Sequence, residues 1–113
     1  MTEAPELIVV TDETFDVEVI RSRLPVVVDF YADWCGPCRT VEPVLRELSK
    51  SLNGRVKFAK VNVDDSDRVT RSFGIHSIPT YLFVDHGREQ GRQVGPVGPT
   101  EFRTIMSKYF SFV

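Results

Sequence analysis

The segment Val26-Val27-Val28-Asp29-Phe30-Tyr31-Ala32-Asp33-Trp34-Cys35-Gly36-Pro37-Cys38-Arg39 decides how this chain is read. Pro25 opens a nearly unbroken apolar run over 26–31, the pattern of a parallel strand buried on both faces. From about Trp34 to Leu52, Val41, Val44, Leu45 and Leu48 fall on one side of a helix. Pro43 lies inside that helix. Its ring removes a backbone donor and crowds the preceding turn, so a kink is expected there. Both cysteines therefore stand where a central strand ends and a helix begins, the edge at which sites collect in open α/β sheets.

Working outward, Ile8 to Val10 reads as a short strand. Thr11-Asp12-Glu13-Thr14 supplies helix-start chemistry ahead of Phe15, Val19 and Ile20 at helical spacing. Val56 to Val63 is a second central strand. Ser66 to Phe73 is a short helix, with Asp65 or Ser66 available as its cap. Thr80 to Val84 is a strand, and Asp85-His86-Gly87 turns it into a shorter, polar strand that ends near Val94. Pro99 suits the first turn of a last helix whose buried stripe is Phe102, Ile105, Met106 and Phe110. The order is βαβαβαββα, without repeat or linker, so residues 1–113 read as one domain. Helix-linked strands should pair in parallel and the last tight turn should force an antiparallel pair. The fold class is α/β, a mixed sheet with helices on both faces.

Cys35 and Cys38 are the only cysteines. Three apart on a helix, their Cα atoms lie roughly 5 Å from each other, inside the window that a disulfide requires. The pair can open and close with little backbone movement. It closes too small a loop to serve stability, and scattered framework cysteines are absent. The two thiols are inequivalent. Cys35 sits at the helix start, where free N–H groups and the dipole favour an anion by on the order of 1 kcal/mol. Cys35 is thus the attacking thiolate, and Cys38, one turn inside, is the resolving thiol. A zinc site would need further ligands. Only His76 and His86 could supply nitrogen, and their spacing fits no zinc finger.

Composition closes off other classes. The chain of 113 residues carries 14 basic and 16 acidic side chains, a formal charge of -2, with no clustered Lys/Arg stripe. That is no footprint for nucleic acid. No run approaches the ~20 apolar residues of a membrane span. The N-terminal Met-Thr-Glu-Ala-Pro-Glu is acidic, unlike a signal peptide. With so few cysteines, a reducing, cytoplasmic setting is expected.

The segment from Val28 to Arg39 resembles the active-site segment of the thioredoxin family. The similarity continues through Pro43, Lys60-Val61-Asn62-Val63-Asp64, Gly74-Ile75-His76-Ser77-Ile78-Pro79-Thr80 and Val94-Gly95, in order and over essentially the whole chain. The resemblance implies a thioredoxin fold, a mixed five-stranded sheet flanked by four helices. It implies a cis Pro79 against the cysteines, and an Ile78 backbone that pairs with an extended substrate chain. Trp34, Gly36, Pro37, Ile78, Pro79, Val94 and Gly95 would form the apolar surface that receives disulfide segments. Pro96 departs from the small residue usual there, stiffening the loop and removing a donor.

The implied activity is reduction of protein disulfides by dithiol–disulfide exchange. Electrons come from thioredoxin reductase, and NADPH enters only through that partner. No metal or bound organic cofactor would be needed, and a monomer is expected. Gly36-Pro37 matches reductants; a His beside the second cysteine would mark an oxidising isomerase. The competing reading is a non-catalytic thioredoxin-fold binding module that clamps a partner enzyme.

Asp29 is the most informative polar residue, because a carboxylate in an apolar strand is costly unless paired. It is either half of a structural pair with Lys60 or, as the family implies, the proton acceptor and donor for Cys38, tuned by Lys60. Trp34 is either core or, beside Cys35, a contact residue. Asp64, Asp65 and Asp67 lack calcium-loop spacing and read as a solvated, capped turn.

Overall fold

The computed structural model describes residues 7–111. The acidic stretch 1–6 and residues 112–113, the two ends of the expected 1–113 domain, lie outside them. Five strands form one sheet: β1 (Ile8–Val9), β2 (Val26–Tyr31), β3 (Lys57–Asn62), β4 (Thr80–Asp85) and β5 (Arg88–Val94). Their spatial order is β1-β3-β2-β4-β5. The helices are α1 (Gly36–Ser51), α2 (Asp67–Ser72) and α3 (Pro99–Tyr109), with a π-helical segment at Asp16–Ile20. This is the five-stranded, four-helix α/β architecture expected. The first helix differs in winding and is only five residues long. Among the described residues no helix is long and apolar enough to cross a membrane.

Strand alternation divides the core in two. Val27, Phe58, Tyr81 and Phe83 face Val41, Leu45 and Leu48 of α1 and Phe102 and Met106 of α3. Val26, Val28, Phe30, Ala59, Val61, Leu82 and Val84 face the opposite way, toward Phe15, Val19 and Val69. Phe102, Met106 and Phe110 are buried as expected, while Ile105 is half-buried at the edge of its cluster. The β4–β5 turn is made by His86 and Gly87, with φ of 53° and 76°. These are the left-handed conformations that a tight hairpin requires at both central positions.

One pairing departs from expectation. β1 and β2 run parallel to β3, but β4 is antiparallel to β2 although α2 separates it from β3. The physical reason is length. Six helical residues rise about 9 Å, less than half of the roughly 20 Å spanned by a six-residue strand. The chain therefore re-enters the sheet at the end where β3 left it. That return brings the start of β4 beside the end of β2, with Thr80 opposite Phe30. The residues before Thr80 thus come to the same sheet edge as Cys35.

The cap of α2 also differs. Ser66 holds the N-cap position but makes no capping bond with its side chain. Asp12, from the loop after β1, accepts from the backbone N–H groups of Arg68 (3.2 Å) and Val69 (2.8 Å). Its carboxylate caps a helix more than fifty residues away.

Candidate active site

The helix begins two residues later than the sequence spacing suggests: Cys35 is the N-cap of α1, and Gly36 and Pro37 form its exposed first turn. Proline is tolerated there because the first N–H groups have no intrahelical partner. Cys35 keeps an extended backbone, and its Sγ accepts the backbone N–H of Cys38 at 3.2 Å. The arrangement is an N-cap in which sulfur replaces the usual oxygen. Cys35 and Cys38 form a disulfide, with Cα atoms 5.3 Å apart. Each cysteine residue is 5% exposed, so burial alone does not distinguish them. Their surroundings do.

Behind Cys38 opens a cavity of about 490 Å³ lined by Asp29, Tyr31, Cys38, Glu42, Arg46 and Lys60, among others. Cys35 does not line it. Alternation explains the membership: Asp29 shares the α1 face of the sheet with Val27, and its register partners are Lys60 on β3 and Tyr81 on β4. Asp29 is 4% exposed, and its Oδ1 has no hydrogen-bond partner. Burial pushes its carboxyl up to about 7, against the pull of Lys60 and with a further push from Glu42. Tyr81 is raised as well, by burial and then by the Asp29 charge. A carboxyl that changes protonation near neutrality, in the cavity that Cys38 lines, can exchange a proton with a thiol.

Lys60 does not form the direct pair with Asp29 that the sequence left open. Its Nζ donates to Glu42 Oε1 at 2.7 Å and lies 4.3 Å from the centre of the Tyr31 ring. Glu42 Oε2 in turn accepts from Arg46 at 2.8 Å. Lys60 reaches Asp29 only through space. Sequence reasoning missed Glu42, Tyr31 and Arg46. The available signal was helical spacing, since Glu42 lies four residues beyond Cys38 and so on the same helix face.

On the other side of the cysteines, Trp34 is 68% exposed and not core. Its indole N–H donates to Asp64 Oδ2 at 2.9 Å. Trp34 and Ile78 line a shallow groove of about 380 Å³ with Val63, Thr70, Ile75 and His76. Ile78 also packs against Ala32, Cys35 and Cys38. The Ile78–Pro79 peptide bond is cis, as expected, and Pro79 is buried. Gly95, at φ +94°, donates its N–H to the Pro79 carbonyl at 2.8 Å. Val94, opposite Thr80, is 55% exposed. Trp34 and Ile78 thus share one groove, while Gly95 is tied to Pro79 and Val94 lies opposite Thr80. Among the described residues no group of three His, Cys, Asp or Glu side chains is placed to hold a metal ion.

Comparison with known proteins agrees with this geometry. The family model "Thioredoxin" matches residues 6–108. Thioredoxin M5, chloroplastic, of Oryza sativa subsp. japonica is 42% identical over 106 residues, which cover 94% of this chain and 62% of that protein. Thioredoxin of Rickettsia bellii is 44% identical over 86 residues, 76% of this chain and 82% of its own. Thioredoxin 1 of Nostoc sp. is 43% identical over 100 residues, 88% of this chain and 94% of its own. With its cysteine pair closed at the head of α1, the chain belongs to the thioredoxin family of thiol–disulfide oxidoreductases.

Proposed function

We propose that Cys35 attacks and Cys38 resolves in the reduction of protein disulfides by this chain. In the reduced protein the Cys35 thiolate attacks one sulfur of a substrate disulfide. A Cys35–substrate mixed disulfide forms and the first substrate thiolate leaves. The Cys38 thiol passes its proton to the ionised Asp29 carboxylate across the shared cavity. The Cys38 thiolate then attacks Cys35 Sγ and expels the second substrate thiolate. Two electrons have moved to the substrate, and the protein is left with the Cys35–Cys38 disulfide. A thioredoxin reductase, drawing on NADPH, returns the two electrons, and the chain works as a monomer.

The observation that carries this reading is the asymmetry around the disulfide. Cys35 Sγ takes the N-cap hydrogen bond, while Cys38 alone lines the cavity of Asp29. Trp34 and Ile78 line a groove that suits an extended substrate segment, and in this reading Gly36, Pro37, Pro79, Val94 and Gly95 complete the receiving surface. A purely adaptor role leaves the closing distance of the pair and the near-neutral Asp29 carboxyl without purpose. The proposed setting is a reducing compartment, the cytoplasm, where Gly36-Pro37 reductants are regenerated.

The test is NADPH oxidation coupled through thioredoxin reductase with a protein disulfide as acceptor. Wild type should turn over and Cys35→Ser should not. Equal rates for the two would end the assignment.

A further inference from the structure

We propose that Glu42 is a positioning residue for the proton step at Cys38. By holding Lys60 on the helix side of the cavity, it sets the pH at which Asp29 takes and gives its proton. The inference rests on the reading of Asp29 as the proton partner of Cys38.

The geometry points to competition between two carboxylates for one ammonium. Lys60 is the register neighbour of Asp29 across β2–β3, so a lone Lys60 would be free to turn toward it. Instead Nζ sits 2.7 Å from Glu42 Oε1, with 13% of the lysine side chain exposed. Glu42 stands one turn beyond Cys38, and the same cavity is lined by Asp29, Cys38, Glu42 and Lys60. Asp29 Oδ1 has no hydrogen-bond partner.

The charged and titratable groups facing Asp29 are few. They are Tyr31 within β2 and Asp33 after it, Lys60 on β3, Tyr81 on β4, and Cys38, Arg39, Glu42 and Arg46 on α1. Lys60 and Arg46 hold the Glu42 carboxyl below its ordinary range through hydrogen bonds, so Glu42 is ionised when Asp29 titrates. Neutralising Glu42 removes a negative charge from the cavity and frees the ammonium. Both changes favour ionised Asp29 and move its midpoint down.

The measurement is the Asp29 titration midpoint in the oxidised protein, followed by carboxyl ¹³C NMR. Three variants are compared with wild type: Glu42→Gln, Lys60→Met and the double variant. Glu42→Gln should lower the midpoint by about half a pH unit or more, and Lys60→Met should raise it. In the Lys60→Met background the effect of Glu42→Gln should shrink by at least about half, because the route through the ammonium is gone. A midpoint unmoved by Glu42→Gln overturns the inference, as does a full-sized effect in the absence of Lys60. The pH profile of mixed-disulfide resolution separates the two layers. If it follows the midpoint, both stand. If the midpoint moves and the profile does not, Asp29 is not the proton partner, and the Glu42–Lys60–Asp29 coupling remains.

Discussion

Trp34 and Asp64 are thirty residues apart in the chain, yet the indole N–H of one donates to the carboxylate of the other at 2.9 Å. The bond ties the residue before the N-cap cysteine to the turn that follows β3. Asn62 Oδ1 steadies that turn by accepting the Asp64 backbone N–H at 2.9 Å. An exposed tryptophan would otherwise sample several rotamers; if Trp34 receives substrate as proposed, ordering it in advance lowers the entropic cost of docking.

Loss of this tie should therefore weaken substrate docking with little effect on stability. A solvent-exposed hydrogen bond contributes about 0.5–1 kcal/mol, so Asp64→Ala should raise KM for a protein disulfide about two- to fivefold. Its melting temperature should stay within about 4 °C of wild type. Steady-state kinetics and calorimetry on the one variant check both. A fall in kcat with unchanged KM would show that Asp64 acts elsewhere.

Asp29 should cost the fold stability in proportion to its ionisation. Its carboxyl titrates near 3.8 when unfolded and about 7 when folded. Between those values the native state binds the extra proton, so stability falls as pH rises through the window and is lowest above it. Asp29→Asn removes that burden. The variant should exceed wild type in stability by on the order of 4 kcal/mol at pH 8.5, with the gap narrowing toward pH 5. Urea midpoints across that range measure it; a gap independent of pH would contradict the assigned midpoint.

Gly91 on β5 has no room for a side chain. An added Cβ would come within 2.2 Å of Tyr109 Cζ. That ring stacks on Phe83 at 5.3 Å between centroids. Gly91→Ala should destabilise by about 1–3 kcal/mol, the usual cost of overpacking. In a Tyr109→Ala background the same change should cost much less, giving a double-mutant coupling above about 1 kcal/mol. Independent, additive effects would show that the ring moves aside freely.

The cap of α2 offers a contrast between two neighbours of the same helix. Asp12→Ala removes the acceptor for two N–H groups and should cost about 1–2 kcal/mol. Ser66 Oγ is buried without a partner. Ser66→Ala should therefore be neutral or slightly stabilising. Denaturation midpoints of the two variants decide which residue caps the helix.

These residues also show what was legible in the sequence. Val26–Tyr31 announced a buried strand because an uninterrupted apolar run has few alternatives, and Cys35–Cys38 announced a switch because local spacing alone sets their distance. Asp29 was visible as a charge in the wrong company. What stayed hidden depends on crossing geometry: Asp12 capping α2, Asp64 holding Trp34, and Glu42 taking Lys60 from Asp29. Each is an ordinary surface-type residue in the sequence and acquires its role only from a partner eighteen to fifty-seven positions away. The direction of β4 was missed for a related reason. A helix–strand alternation does not reveal whether the helix is long enough to carry the chain back across the sheet.

The most direct test of the mechanism traps the intermediate. Each single-cysteine variant, Cys35→Ser and Cys38→Ser, is mixed with a protein disulfide at neutral pH, quenched in acid and mapped by mass spectrometry. Cys38→Ser should accumulate a stable adduct joined through Cys35, and Cys35→Ser should accumulate none. An adduct formed through Cys38, at a rate matching that of the Cys35 adduct, would contradict the assignment of attack to the N-cap sulfur.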